Sequence, residues 1–306
     1  MLKHRLLEKL IAIACALCLA GGVMSGVVYA LASGTDEVSE PYMALVIVDS
    51  ASDEVDEPAA EVTDNRLEVP FFVDGEECGV CPIVSGVPYM GVESFCRALG
   101  VSIDSAFSGD TLILSGDIDF TGAADGIYFI FNGRYHYVPD GIRTLGGELV
   151  LPVETLAKCL GVSAQWDRVQ WTVSALSGDV HPMESGDTYY SETDIYWLSR
   201  VISAEAGDQP LEGQIGVGNV VLNRMSADAF SGQESVYDVI FAKNQFDVVV
   251  NGMIYMEPSA TSVIAAKIAL EGYDVTGGAT FFGNESLGDG YECTAWISDR
   301  CFMRSA

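Results

Sequence analysis

The chain has 306 residues, 49% of them apolar and 19% charged, which is enough apolar material for two modest cores and too little charge for a disordered protein. Its formal net charge is −29 with only 15 Lys and Arg, which excludes nucleic acid as a partner, because neutralising phosphates takes clustered basic residues. The same charge repels anionic lipid and anionic wall polymers, so any attachment to a cell wall has to rest on uncharged sugar.

Lys3, Arg5 and Lys9 form a basic n-region ahead of Leu10 to Ala32, a stretch without a charged residue, and Ala30-Leu31-Ala32 fits a small-x-small cleavage site. The run predicts a signal peptide or, given its length, a membrane anchor, and either puts the rest of the chain outside the cytoplasm. Residues 33–66 follow as an acidic linker. Ten acids between 33 and 65, no Lys or Arg, and Pro41 and Pro58 predict a self-repelling, disordered spacer. Met43 to Val48 interrupts it with an apolar stretch that reads as a strand.

Residues 67–175 hold an internal repeat. Val92-Glu93-Ser94-Phe95-Cys96-Arg97-Ala98-Leu99-Gly100-Val101 aligns with Val153-Glu154-Thr155-Leu156-Ala157-Lys158-Cys159-Leu160-Gly161-Val162 at an offset of 61. Each copy predicts a short amphipathic helix ended by Gly, a residue suited to the left-handed position after a helix. A strand follows each: Thr111 to Leu114 in the first, Val169 to Val173 in the second. A strand and turn precede each, Phe71 to Val73 with Asp74-Gly75, and Tyr128 to Phe131 with Asn132-Gly133, dipeptides that tight hairpins favour. These hairpins resemble the copper amine oxidase N-terminal-like domain of exported bacterial proteins, as do Leu151-Pro152-Val153-Glu154 and Leu160-Gly161-Val162-Ser163-Ala164-Gln165-Trp166-Asp167 around the second helix. The resemblance implies an attachment or spacing module and no copper chemistry. His136 is the only His in the block, too few ligands for copper. A second linker rich in Gly, Ser, Asp and Glu spans 176–193.

From Asp194 the pattern turns helical. Thr193 or Asp194 can N-cap a helix from Ile195, whose Leu198, Val201 and Ile202 recur at helical spacing and bring Glu205 near the apolar face. Asp208-Gln209-Pro210 opens the next helix, Leu211 to Met225, with Pro210 suited to its first position. Gly213, Gly216 and Gly218 inside that helix predict close approach of another backbone. A third helix is capped by Ser259 and runs to Gly272. Gly278 to Phe282 reads as a buried strand, with a polar loop from there to Trp296.

Leu198-Ser-Arg-Val-Ile-Ser-Ala-Glu205-Ala-Gly-Asp-Gln-Pro-Leu-Glu-Gly-Gln-Ile-Gly-Val-Gly-Asn-Val-Val-Leu-Asn-Arg224 is similar to the opening of cell-wall hydrolases of the spore cortex-lytic, SleB-type family. Val239-Ile240 leading to Gln245-Phe246, Ala265-Ala266 with Ala269 to Gly272, and Gly277 to Phe282 follow in the family's order. The resemblance spans about 195–304. It implies a lysozyme-like helical fold with a small β element, lytic transglycosylase action on peptidoglycan glycan strands, and Glu205 as the catalytic acid.

Elementary chemistry runs parallel. Cleaving a glycosidic bond needs a proton donor at the leaving oxygen, and a carboxyl beside apolar residues keeps its proton to higher pH. One acid suffices where the 6-hydroxyl of N-acetylmuramic acid attacks intramolecularly to give a 1,6-anhydro end, whereas a water-using glycosidase usually needs a second carboxylate. Asp208 and Glu212 are near in sequence, without a reason to lie opposite the sugar. Residues 195–306 contain no His, which removes zinc amidases and His-assisted peptidases. Gln214, Asn223, Gln245, Phe246, Asn284 and Trp296 are candidate sugar contacts, amides for hydroxyl and N-acetyl groups and aromatics for the pyranose face. Each has a structural role as its alternative, and Asn223-Arg224 reads equally as a helix C-cap.

Of eight cysteines, Cys15 and Cys18 sit in the leader. Cys78-x-x-Cys81 reads as a local disulfide or two plain thiols, since no second pair or His cluster completes a zinc site. Cys96 and Cys159 read as small hydrophobes, and Cys293 with Cys301 as a mutual disulfide or two buried thiols. The expected fold class is α+β multidomain: a repeat-built β/α module over 67–175, then a mainly helical, lysozyme-like hydrolase domain with a small β element over 194–306. Peptidoglycan is the expected partner, membrane contact is confined to the N-terminal segment, and no cofactor or metal is expected. The alternative is an exported wall-binding or structural protein that keeps the hydrolase fold without its activity.

Overall fold

The structure, a computed structural model, describes residues 67–306 and, upstream of them, only β1 (Val28–Ala30) and β2 (Ala44–Val46), which pair antiparallel. The strand expected over Met43 to Val48 is thus three residues long. The rest of the leader, the acidic linker, Cys15 and Cys18 lie outside the described residues. The chain divides into two units, Met1–Asp64 and Asn65–Ala306. Among the described residues no helix is long and apolar enough to cross a membrane.

In the second unit, β3 (Glu68–Val73) and β4 (Glu76–Val84) form a hairpin that turns at Asp74 and Gly75 with φ of 52° and 86°. Both central residues of such a turn need positive φ, which is why Asp-Gly marks it. Next, β5 (Val87–Gly91) leads into α1 (Val92–Ala98), and later β12 (Glu148–Pro152) leads into α2 (Val153–Leu160), which ends on left-handed Gly161. The strands before the two helices pair antiparallel at the centre of a seven-stranded sheet ordered β11-β12-β5-β4-β3-β14-β13. Its edges are β11 (Arg143–Leu145) and β13 (Ala164–Asp167), and β14 (Thr172–Ala175) runs parallel to β3.

A five-stranded antiparallel meander runs from β6 (Ile103–Ser108) through β7 (Thr111–Gly116), β8 (Phe120–Ala123) and β9 (Tyr128–Phe131) to β10 (Arg134–Tyr137). Phe71, Phe95, Leu112, Phe120, Phe129 and Leu151 are fully buried in one core shared by both sheets and both helices. The strand expected from Val169 does not begin until Thr172. Asp167 Oδ1 accepts from the N–H groups of Val169 and Gln170, and Trp171 has φ of 55°, so 168–171 is a turn.

The C-terminal part has its own core. Its first helix, α4 (Glu192–Ala206), starts three residues before the expected Ile195, because the Ser191 hydroxyl accepts from Asp194 N and caps it. The next, α5 (Leu211–Ser226), is buried continuously from Gly213 to Val221, the mark of a central helix enclosed on all sides. Pro210 is its N-cap rather than its first turn. Side chains, not a backbone, approach its glycines: the Phe302 ring lies over Gly216, and Ile202 and Ala269 over Gly218. Ser259 caps α8 (Ala260–Leu270) by accepting from Ser262 N. The β element is a three-stranded sheet ordered β15-β17-β16, from β15 (Phe281–Gly283), β16 (Tyr291–Ile297) and β17 (Arg300–Ser305). Gly278 and Ala279 precede β15 as loop, and β15 is only half-buried, so the expected buried strand is shorter and shallower. Trp296 sits on β16, not in a loop. Cys293 and Cys301 form a disulfide between β16 and β17. Cys78, Cys81, Cys96 and Cys159 are thiols, and burial pushes those of Cys81, Cys96 and Cys159 up to about 12, which leaves them inert.

The two cores meet along the β9–β10 hairpin, whose Tyr128, Tyr135 and Tyr137 pack on the C-terminal core. Arg134 forms a bidentate pair with Glu271 at the end of α8, Nε to Oε1 at 2.9 Å and Nη2 to Oε2 at 2.7 Å, with the carboxylate 1% exposed. Tyr190 donates its hydroxyl to the same carboxylate at 2.6 Å, and its oxygen accepts from Tyr135 N at 2.9 Å. His136, stacked on Phe129, meets the Tyr273 hydroxyl at 3.1 Å; burial pushes its pKa down to about 4, so it is neutral at pH 7. The stretch 176–193 is not a free spacer. His181 N and Met183 N donate to the carbonyls of Leu160 and Cys159, and Gly186 N, at the start of the short helix α3 (Gly186–Tyr189), donates to Asn132 O.

Candidate active site

Glu205 lies one residue before the end of α4, and the buried Leu198, Val201 and Ile202 fix that helix face against the core. Its side chain is half-buried at the border between core and surface. Burial raises its pKa above the ordinary carboxyl value, Arg300 and Arg224 pull it down, and Asp247 pushes it up; burial wins.

Each neighbour comes from a different segment. Arg224 stands near the end of α5, 5% exposed, with Nε donating to Thr280 O at 2.8 Å. Its guanidinium lies 5.1 Å from the Phe230 and Phe246 rings and 5.6 Å from Phe281, and its Nη1 has no partner among the described residues. Desolvation lowers its pKa to about 10, which still leaves it charged at neutral pH. Arg300, at the start of β17, donates from Nη2 to Glu205 O and lies 5.3 Å from the Phe282 ring. One arginine thus ties the end of α4 to the β sheet. Asp247 opens α7 (Asp247–Val250), directly after the buried Phe246.

The loop 273–280 makes this arrangement rigid. Asp274 accepts from Thr276 N, Thr276 Oγ1 and Gly278 N, and although burial pushes its carboxyl up, those bonds win and hold it below the usual range. The loop presents Ala279 O to Asn223 Nδ2 at 3.0 Å and Thr280 O to Arg224. Asn219 anchors its other end, donating to Tyr273 O and accepting from Val275 N.

The six candidate sugar contacts are spread widely. Gln214 is 2% exposed, with Nε2 donating to Gln209 O in the turn before α5 and Oε1 accepting from Ser262 of α8, so both ends of its amide are taken up within the fold. Asn223 holds the 273–280 loop. Phe246 is buried beside Arg224, and Gln245 is half-buried just before it. Asn284 is exposed after β15, and Trp296 is 60% exposed on β16. Of the two carboxylates near in sequence, Asp208 is exposed, while Glu212 accepts from the Tyr137 hydroxyl at 2.7 Å and so belongs to the contact between the two cores. Sequence reasoning missed Arg224, Arg300 and Asp247 as the groups that set the charge around Glu205. Arg224 carried a signal, a cation ending a helix that is otherwise apolar; the other two carried none.

Residues 208–303 match the Cell Wall Hydrolase family, a stretch that begins just after Glu205. A spore cortex-lytic enzyme of Halalkalibacterium halodurans is 39% identical over 111 residues, 36% of this chain and 32% of that protein. A spore cortex-lytic enzyme of Bacillus cereus is 28% identical over 229 residues, 67% of this chain and 84% of that protein. The chain therefore spans about a third of the length of the first of these relatives and most of the second. Among solved structures, the catalytic domain of the Bacillus cereus SleB protein is 28% identical, covering 38% of this chain and 92% of that one, with a TM-score of 0.35, too low to carry an argument. The C-terminal part of this chain is thus similar to cell wall hydrolase domains and to spore cortex-lytic enzymes.

Proposed function

We propose that the chain is an exported enzyme that cleaves the glycan strands of peptidoglycan as a lytic transglycosylase, with Glu205 as its acid. The observation that carries this is Glu205 itself: a half-buried carboxyl with a raised pKa, near two arginines, directly before the stretch that matches the Cell Wall Hydrolase family. A raised pKa suits a proton donor. Glu205 gives its proton to the glycosidic oxygen as the C1–O bond breaks. The 6-hydroxyl of the same muramic acid then bonds to C1 and returns its proton to the carboxylate, so no water is consumed. Arg224 and Arg300 stabilise the carboxylate between the two steps. The relatives are named spore cortex-lytic enzymes, and we extend cortex or cell-wall lysis to this chain. The module upstream serves attachment or spacing, and Gln245, Asn284 and Trp296, with part of their side chains free, are the sugar contacts retained from the sequence.

Mass spectrometry of products from purified peptidoglycan tests this. Anhydro-muramic ends, lighter by one water than reducing ends and absent with Glu205→Gln, are the expected result. Reducing ends point instead to a water-using route with Asp247 as the second carboxylate, and no release of muropeptides by the wild type overturns the enzyme reading.

A further inference from the structure

The upstream module carries a cleft of its own, about 210 Å³, whose walls include Val87, Pro88, Glu154, Gln165, Trp166 and Arg168. It opens between the start of β5, the first turn of α2 and the β13–β14 hairpin. Trp166 is its distinctive wall. The indole Nε1 is buried and has no hydrogen-bond partner among the described residues, although a buried donor is normally satisfied. Trp171 packs edge-on against that ring, centroids 5.7 Å apart at 80°, and is itself about half exposed. The neighbouring apolar surface is also open, Val87 being 39% and Val169 91% exposed. Around it stand one anion, one cation and one amide: Glu154, Arg168 and Gln165.

An aromatic wall and a balanced polar rim fit a neutral ligand with an apolar face and hydroxyl or amide groups. A pyranose ring with an N-acetyl group has both. The excess of 29 negative charges on the chain disfavours an anionic occupant. Strand addition by a peptide is the rival, since β13 is a sheet edge, but that edge is four residues long.

We propose that this cleft binds an uncharged N-acetylhexosamine glycan and holds the chain on its substrate while Glu205 acts elsewhere on the same strand or a neighbour. The inference rests on the peptidoglycan reading above. Because the module and the hydrolase domain are one unit, a glycan held in the cleft raises the local concentration of strand at the catalytic site.

The test uses the full chain. Binding is measured in a Glu205→Gln background, by isothermal titration calorimetry with the β-1,4 tetramer of N-acetylglucosamine and with free stem peptide, and by cosedimentation with sacculi stripped of stem peptides. Trp166→Ala weakens glycan binding by roughly tenfold, the loss of one stacked aromatic, and Trp166→Phe, which keeps an aromatic ring but loses the pyrrole part of the indole, falls between. In the active enzyme Trp166→Ala raises KM for sacculi by a similar factor, with kcat and the turnover of short soluble muropeptides unchanged. If Trp166→Ala fails to fold, as judged by circular dichroism, Gln165→Ala and Arg168→Ala on the exposed rim replace it, each expected to weaken glycan binding by a few fold. Equal glycan binding by wild type and folded variants overturns the proposal, as does binding of stem peptide in place of glycan. The two readings fail separately. A wild type that binds glycan through Trp166 yet releases nothing sinks the cleavage reading alone, whereas cleavage and binding indifferent to the cleft variants sink the cleft alone.

Discussion

At the scale of single residues, Glu205 stands between burial, which keeps its proton, and two arginines, which take it away. A donor works only while protonated, so the rate falls as pH rises through its raised pKa. Asp247→Asn removes a negative neighbour, lowers that pKa and moves the alkaline limb of kcat/KM to lower pH; an unmoved limb shows that Asp247 does not act on the acid. Glu205→Gln lowers kcat by about 10²- to 10⁴-fold, the range of general acid catalysis. The same variant is the more thermostable one at neutral pH. A carboxyl whose folded pKa lies above its unfolded value binds the extra proton in the native state, so its contribution declines as pH rises through the window between the two. Differential scanning calorimetry at pH 4 and pH 7 reads this: the Tm gain of Glu205→Gln appears at the higher pH and shrinks at the lower. The sequence singles out Glu205 because helical spacing and a family resemblance both pass through it, and the structure places it half-buried on that face. Arg300 and Asp247 were not, since each is one charged residue in an unremarkable segment and only the chain's return brings it near.

At the scale of elements, local chemistry was read well and long-range packing was not. Asp74-Gly75 and Asn132-Gly133 do turn hairpins, because their positive φ values are a property of two residues. The glycines of α5 were rightly singled out but for the wrong neighbour, since a one-dimensional pattern shows that room is needed and not what fills it. A Cβ on Gly216 would stand 2.5 Å from the edge of the Phe302 ring, which is fully buried and cannot retreat into solvent. Gly216→Ala gains helix propensity, up to about 1 kcal/mol. Overpacking costs about 1–3 kcal/mol and wins. Urea unfolding should therefore show a net loss, and a gain would mean that β17 can shift away from α5.

At the scale of the whole molecule, the described residues hold one large core on each side of 176–193 and a small cluster around Val220 and Phe302, but the connection between the two large cores was misread. The composition of 176–193 is that of a linker, yet its backbone is bonded to α2 and to the Asn132 turn. Polar composition says that a segment need not be buried; it does not say that the segment is free. The joint itself rests on Arg134 and Glu271, both largely out of water. Arg134→Ala leaves that carboxylate buried without its cation and should cost about 3–5 kcal/mol, measured by chemical denaturation, with the single transition splitting in two. Replacing both partners with Met recovers most of the loss. A loss below 1 kcal/mol for the single change would mean that water reaches Glu271.

The hairpin β9–β10 belongs to the sheet of one core and is clasped by a helix of the other, so covalent continuity between the halves is not what keeps them together. The exposed residues around Asp187 offer a protease a place to cut. A chain nicked there would migrate as one particle under native conditions and as two fragments once denatured. By the same logic the two halves, made as separate polypeptides, would complement one another: the rivet is non-covalent, and it does not depend on the peptide bond that joins the halves.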